Sequence, residues 1–395
     1  MQYRIDTKSG NELSALGFGC MRFPRAITGQ IDMGKTEKLL RSAIERGVNY
    51  FDTAYLYPGS EEALGEIVYK SGSRGKVFLA TKLPHGRCKS PGDIDALFKT
   101  QLSRLKTDYI DYYLIHNMSD AAQWRRLCGL GIEAWIAEKK ASGHIRRIGF
   151  SFHGSQSQFT QLLDVYDWDM CQIQYNYMNE NYQAGRAGLV AANAKGMPVV
   201  IMEPLLGGKL ANGLPAKAEK AFRDADGGAA APAAWALRWL WNQPEVTVVL
   251  SGMNGMEQLN GNAETASAAR PGMLTQRESD AFGPAVEAFR EAYKIPCTGC
   301  NYCMPCPQGV NIPGCFAAYN TSYAMGRIAG VQQYITSTGR NNPDKDYSGR
   351  KCAKCGACEK KCPQRIPIMN SLGTVTKRME PLWFRTVLGI IRKFA

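Results

Sequence analysis

Residues 77–153 read VFLATKLPHGRCKSPGDIDALFKTQLSRLKTDYIDYYLIHNMSDAAQWRRLCGLGIEAWIAEKKASGHIRRIGFSFH. Three β-rich runs, VFLATKL (77–83), YIDYYLIH (109–116) and IRRIGFSFH (145–153), alternate here with segments whose apolar residues recur at helical spacing. The alternation extends both ways, through ALGFGC (15–20) and NYFDTA (49–54) upstream and MCQIQYNY (170–177), PVVIMEPLL (198–206) and VTVVLSGM (246–253) downstream. Eight such units in roughly 270 residues match the count and size of a (β/α)8 TIM barrel, an α/β fold whose active site lies where the strands run out into the following loops. A doubly wound sheet is the weaker alternative. It requires a glycine-rich phosphate turn after its first strand, and Gly17-Phe18-Gly19-Cys20 does not continue into one.

A charged helical stretch, about Gln276 to Lys294, leads to Pro296 and a change of character. Eight of the thirteen cysteines then fall in two runs, Cys297-x2-Cys300-x2-Cys303-x2-Cys306-Pro307 and Cys352-x2-Cys355-x2-Cys358-x3-Cys362-Pro363. Three thiolates at two-residue gaps can wrap one iron-sulfur cluster, and the fourth, followed by proline, reaches the other cluster of a two-cluster ferredoxin. This predicts two 4Fe-4S clusters, one on Cys297, Cys300, Cys303 and Cys362, the other on Cys352, Cys355, Cys358 and Cys306. Structural zinc is the rival, but it ordinarily uses two C-x2-C pairs separated by a spacer. Cys306 follows a shorter gap than Cys362, and Cys315 is either its substitute or a small buried hydrophobe. The expected organisation is a barrel over 1–290, a small, mostly helical two-cluster ferredoxin-like domain over 291–368, with a helix through 314–336, and a basic amphipathic segment over 369–395.

At 395 residues and 45% hydrophobic content, the chain can bury one large core and a smaller one. The first residues contain no apolar stretch for a signal peptide, and no run of eighteen apolar residues occurs. Thiols that ligate clusters must stay reduced, so a cytoplasmic location is expected. The net charge of +13 is concentrated late: residues 340–395 hold thirteen Lys/Arg against four Asp/Glu. Such a field suits an acidic redox protein, a ferredoxin or flavodoxin, as partner. No nucleic-acid motif accompanies the charge, so no nucleic acid is expected. The last stretch, LWFRTVLGIIRKFA, could lie on a membrane, but one short helix more often packs on its own domain, and peripheral membrane contact is not the favoured reading.

Polar side chains gather where the strands are expected to end: Asp52 after the second, Tyr57 five residues on, Lys82 after the third and His116 after the fourth. Together they make a mechanism. A tyrosine has a solution pKa of about 10, and Lys82 held by Asp52 would lower it, letting Tyr57 pass a proton to a carbonyl oxygen that His116 orients.

With FDTAYLYPGSEEALG after strand two, then ATKLP, DYYLIHN and GHIRRIGFS in order, residues 10–270 resemble the aldo-keto reductase family, and with the cysteine module they resemble its ferredoxin-fused branch. The resemblance implies the tetrad Asp52, Tyr57, Lys82 and His116, a small-molecule carbonyl or alcohol substrate, and hydride from NAD(P)H. It implies cofactor contacts at Gly19, Cys20 and Met21, at Ser151 and Gln172 for the carboxamide, at Met202 where an aromatic commonly stacks, and at Pro204, Leu205 and Gly207 along the pyrophosphate. Phe152 stands where an asparagine is common, with His153 beside it. Gly252 and Gln258 stand where relatives selective for NADPH place basic residues, which favours NADH; Lys209 is the basic group that could substitute. Arg22, His85, Arg87 and Tyr177 are candidate substrate liners. Nicotinamide moves two electrons and each cluster one, so coupling them requires a converter such as a flavin, for which no motif is visible. The rival function is an electron-transfer module whose barrel is a retired enzyme.

Overall fold

In a computed structural model of the chain, residues 1–324, 326–339, 346–380 and 384 are described. The expected final segment over 369–395 lies, beyond residue 380, outside them except for Phe384. Eight parallel strands close a barrel: Leu16–Gly19, Tyr50–Asp52, Phe78–Leu83, Ile110–Met118, Ile145–Phe152, Met170–Gln174, Val199–Met202 and Val246–Ser251, each beside the next and the eighth beside the first. They are the eight runs read from the sequence. Alternation along each strand divides the apolar side chains in two. Tyr50, Tyr112, Leu114, Met170, Val200 and Val248 fill the barrel, while Phe51, Leu79, Tyr113, Ile115, Phe150 and Ile173 face the surrounding helices.

The helices start where their sequence says they should. Asp32 caps Met33–Glu45 by accepting from the Lys35 N–H, and Ser90 and Asp93 form a capping box at Pro91–Leu105, whose proline occupies the first turn. Helices Ser60–Lys70 and Pro91–Leu105 pack so closely that a Cβ on Gly65 would lie 2.3 Å from the Arg104 carbonyl oxygen. Only glycine fits there.

A hairpin of Tyr3–Ile5 with Glu12–Ser14 closes the end from which the strands start. Leu13 enters the interior cluster, the Tyr112 hydroxyl donates to the buried Asp6 carboxylate (2.8 Å), and the Arg4 guanidinium donates to the carbonyls of Trp241 (2.5 Å), Gln243 (2.8 Å) and Val246. Polar closure of this end leaves the strand ends for chemistry.

The chain divides into two compact units, residues 1–205 with 230–279, and residues 206–229 with 280–395. The second takes the segment between the seventh and eighth strands, including helix Ala216–Asp226, as well as everything after the barrel. Its core gathers Ile295, Val310, Phe316, Tyr334, Ile368, Leu372 and Val375, against which Cys297, Cys303, Cys306, Cys352, Cys358 and Cys362 pack. The helix expected over 314–336 is two, Ile312–Ala324 and Arg327–Ser337, parted at Gly326, whose φ of 95° no helix accommodates. The charged stretch before the cysteines likewise forms two helices, Gln276–Asp280 and Phe282–Ala292. Among the described residues no helix is long and apolar enough to cross a membrane.

Candidate active site and cluster ligands

Asp52 is the last residue of the second strand, and Lys82 the last but one of the third. Both are buried. The Lys82 ammonium donates to the two Asp52 carboxylate oxygens, each at 2.6 Å, and to the Thr53 carbonyl at 2.7 Å. Burial pushes the Asp52 carboxyl up, while Lys82 and a hydrogen bond from Gln172 pull it down. Tyr57 sits in the turn after the second strand, its N–H bonded to the Ala54 carbonyl. Its ring centre is 5.3 Å from Lys82 Nζ and 5.9 Å from the His116 ring, which meets it edge-on. His116 is held well below the usual histidine range, first by burial and then by the Lys82 charge. It is therefore a neutral imidazole, able to donate a hydrogen bond but not a ready acid. All four expected tetrad residues converge.

Sequence reasoning missed what holds them. Glu61, 1% exposed, accepts from Thr81 Oγ1 (2.6 Å), Gln101 Nε2 (2.7 Å) and Arg104 (3.2 Å), and Gln101 Nε2 also donates to the Lys82 carbonyl (3.1 Å). This buried network clamps the third strand on either side of Lys82. The only signal was the first glutamate in SEEALG, which reads as an ordinary first-turn helix acid.

Ser151 and Gln172 face each other in register across the fifth and sixth strands. Ser151 Oγ accepts from the Asn117 N–H (2.7 Å), and Gln172 Oε1 is buried without a partner. An orphaned amide oxygen here fits a carboxamide NH2, so the residues present suit a nicotinamide. Both polar atoms of the neighbouring Gln174 are orphaned as well. Phe152 leaves the site altogether: strand alternation turns it outward against Phe159 (rings 5.0 Å apart). His153 pairs with Gln183 (3.1 Å). Gly19 lies beside Asp52 in register, and Met202 beside Gln174.

Cys20 is buried close enough to Asp52 and Lys82 to feel both charges, and burial pushes its thiol far up, so it acts as packing. Met21 is half-buried in the turn Cys20–Arg22. Pro204 and Leu205 end the first unit's first segment, whereas Gly207 belongs to the second, where a Cβ on it would lie 2.2 Å from the Thr298 carbonyl oxygen. Gln258 accepts from the Asn254 N–H (2.9 Å). The side chain nearest Gly252 is Arg22, with Cβ and Cδ 3.6 Å from where a Cβ there would stand. Lys209 donates to the Cys297 carbonyl and lies over the Tyr293 ring, within the second unit. Of the candidate liners, His85 is tied to Arg126 and pushed down to about 4 by burial and that charge, Arg87 lies over Tyr55, and Tyr177 packs edge-on to Trp239.

In the second unit, Cys297, Cys300, Cys303 and Cys362 line one pocket, floored by Ile312, Phe316, Ile366 and Ile368. This is the crossed set read from the spacing. Burial pushes the Cys303 thiol up to about 12 and raises Cys362 too. A metal's charge is what deprotonates such thiols. Of the second set, Cys352 and Cys358 are close enough to interact, Cys306 packs on the same core, and Cys355 is exposed. Cys315 is fully buried, its thiol pushed up to about 12, and serves as core. Among the described residues no three His, Cys, Asp or Glu converge tightly enough for a single ion. Four cysteines around an apolar-floored pocket suit a cluster.

Residues 15–270 match the aldo/keto reductase family, and residues 296–367 match the 4Fe-4S dicluster domain. An aldo-keto reductase of Mycolicibacterium vanbaalenii is 29% identical over 260 residues, covering 64% of this chain and 83% of that protein. The NADP(+) aldo-keto reductase yakc of Schizosaccharomyces pombe is 27% identical over 213 residues, covering 50% of this chain; the match spans 60% of the yeast protein. Among solved structures, the holo form of aldo-keto reductase AKR11C1 from Bacillus halodurans superposes with a TM-score of 0.60 at 26% identity, covering 73% of this chain and 97% of that one. A Klebsiella pneumoniae aldo-keto reductase in complex with NADPH shares the fold, with a TM-score of 0.59 at 22% identity over 71% of this chain and 94% of its own.

Proposed function

The chain belongs to the aldo/keto reductase family and carries a 4Fe-4S dicluster domain, and from that premise we propose an oxidoreductase that reduces a small carbonyl compound, or oxidises the alcohol, with a nicotinamide cofactor. The observation that carries the proposal is the convergence of Tyr57, His116 and the buried Lys82–Asp52 pair at the strand ends. Bound nicotinamide would supply a hydride to the carbonyl carbon. The Tyr57 hydroxyl gives its proton to the carbonyl oxygen, completing the alcohol, and is reprotonated from solvent, which its half-buried position admits. Lys82 stabilises the tyrosinate left behind, and Asp52 holds Lys82 in place with its charge. His116, neutral, orients the carbonyl oxygen. Ser151 and Gln172 hold the carboxamide, with Gln172 Oε1 accepting from its NH2. Holoprotein should show carbonyl-dependent NAD(P)H oxidation, and Tyr57→Phe should lower its rate by roughly two to four orders of magnitude while retaining cofactor binding. Near wild-type turnover in that variant would remove Tyr57 from the mechanism.

Cys297, Cys300, Cys303 and Cys362 would hold one cluster and Cys352, Cys355, Cys358 and Cys306 the other, supplying one-electron transfer. Their proposed external donor is an acidic redox protein. A cytoplasmic location accompanies this, because the ligating thiols need reducing surroundings. NADH is the proposed preference, since neither Gly252 nor Gln258 brings a positive charge to a 2′-phosphate. Tighter binding of NADPH, lost in Arg22→Ala, would instead assign that phosphate to Arg22.

A further inference from the structure

The two cysteine runs differ in the charge carried by their own stretch of sequence. From Pro296 to Gly326 the chain contains no Asp, Glu, Lys or Arg, so the first run is uncharged throughout. Around the second run, Arg350, Lys351, Lys354, Lys360, Lys361 and Arg365 are all exposed. Short 3-10 turns, Gly349–Lys351 and Glu359–Lys361, place lysines directly before Cys352 and Cys362. Among the described residues, Lys351, Lys354, Lys360 and Lys361 form no ion pair. The acidic residue within this run, Glu359, is committed to the protein: its carboxylate accepts from the Met369 N–H (2.9 Å) at the start of helix Ile368–Met379. Cys355, between Lys354 and Lys360, is exposed, whereas the other seven run cysteines are partly covered. Four unpaired lysines thus flank the most solvent-accessible cluster ligand.

We propose that this face, centred on Cys355 and bounded by Lys351, Lys354, Lys360 and Lys361, is where a small acidic one-electron carrier protein docks, which makes the second run and not the first the port for electrons. The proposal rests on the reading that this unit holds iron-sulfur clusters. In the transfer the reduced carrier loses one electron and the oxidised cluster on Cys352, Cys355 and Cys358 gains it; no bond or proton moves. Unneutralised lysines attract a negative face and guide its approach. An exposed ligand at their centre gives the electron its shortest way in, whereas Cys297, Cys300, Cys303 and Cys362 of the other pocket are all partly covered. Four exposed lysines within eleven residues of sequence around one cluster ligand fit a protein of small footprint better than an extended polyanion or a lipid surface.

The test uses anaerobically reconstituted full-length holoprotein titrated calorimetrically with an oxidised plant-type 2Fe-2S ferredoxin as the acidic probe. Binding should weaken as salt rises from 0.05 to 0.3 M, because the Debye length is about 10 Å at 0.1 M and shorter above it. K354E/K360E/K361E should weaken binding roughly tenfold or more at low salt. K38E/K76E/K89E, which makes the same change of net charge at exposed lysines of the barrel unit, should alter it by less than about twofold. Equal weakening by both variants would reduce the effect to net charge and overturn the proposal, as would binding indifferent to salt. So would affinity for anionic phosphatidylglycerol vesicles or duplex DNA that exceeds affinity for the ferredoxin and is lost in the same variant. Iron and sulfide are assayed on every sample: cluster-loaded protein that fails to bind overturns the docking face alone, and protein that never acquires clusters overturns the reading beneath it.

Discussion

Replacing Lys82 by methionine removes the charged partner of a carboxylate that is 3% exposed and leaves it the hydrogen bond from Gln172. Methionine fills the space of the lysine stem, so the change is one of charge more than of volume. Breaking a buried pair in this way ordinarily costs about 3–5 kcal/mol. The stranded Asp52 can avoid ionisation by keeping its proton, and the cost of doing so depends on pH. For a carboxyl with a solution pKa of about 3.9, staying protonated at pH 7 costs about 4 kcal/mol, at roughly 1.4 kcal/mol per unit. At pH 5 it costs only about 1.5 kcal/mol. The sign follows from linkage: with Lys82 gone the folded pKa of Asp52 exceeds the unfolded one, so stability is full below about 3.9 and is lost as pH rises. Asp52→Asn in the same background removes the titrating group. Urea unfolding of the barrel, followed by circular dichroism, should therefore find K82M less stable than D52N/K82M by about 4 kcal/mol at pH 7 and by about 1.5 kcal/mol at pH 5. A gap that stays constant over this range would refute the claim that Asp52 lacks any other charge partner. Carbonyl reduction should be lost in both.

His116, pushed well below 6.5, is neutral in the fold while the unfolded chain takes up a proton near 6.5, so stability should be complete above that pH and fall below it by up to about 1.4 kcal/mol per unit; His116→Asn should flatten the fall between pH 6.5 and 5 in urea midpoints, His85 accounting for what remains down to about 4. Tyr112→Phe takes a hydroxyl from the buried Asp6 at the closed end of the barrel and should cost about 1–3 kcal/mol in the same assay without changing turnover, since it is remote from the tetrad. Anaerobically purified protein should hold about eight iron and eight sulfide per chain, and stoichiometric zinc in their place would end the cluster reading.

The eight strands were legible because each is a short apolar run bounded by polar sequence, and a closed parallel barrel leaves no freedom in their order. The tetrad was legible for the same reason: its members stand at strand ends, where the chain itself gives the address. Glu61 was not, because its partners Thr81, Gln101 and Arg104 lie 20 to 43 residues away on other elements. Phe152 shows the opposite failure. Its place in the order of residues matched a carboxamide-binding asparagine of the family and so counted against the nicotinamide subsite, but period-two alternation, applied from Ser151, sends it outward, away from that subsite. Arg22 and Gly252 meet only because the first and eighth strands are neighbours across the closure of the barrel, which a linear reading of the loop after strand eight does not contain.

The second unit is assembled from two stretches of chain, and the polypeptide passes between units three times. Helix Ala216–Asp226, embedded between the seventh and eighth strands, stacks Phe222 on Phe282 with ring centres 5.4 Å apart. Cutting the gene after the last barrel strand would leave that helix tethered at both ends and stripped of its mate. The pair of modules is thus braided rather than concatenated. A cut at any single point along the chain therefore divides at least one of the two units.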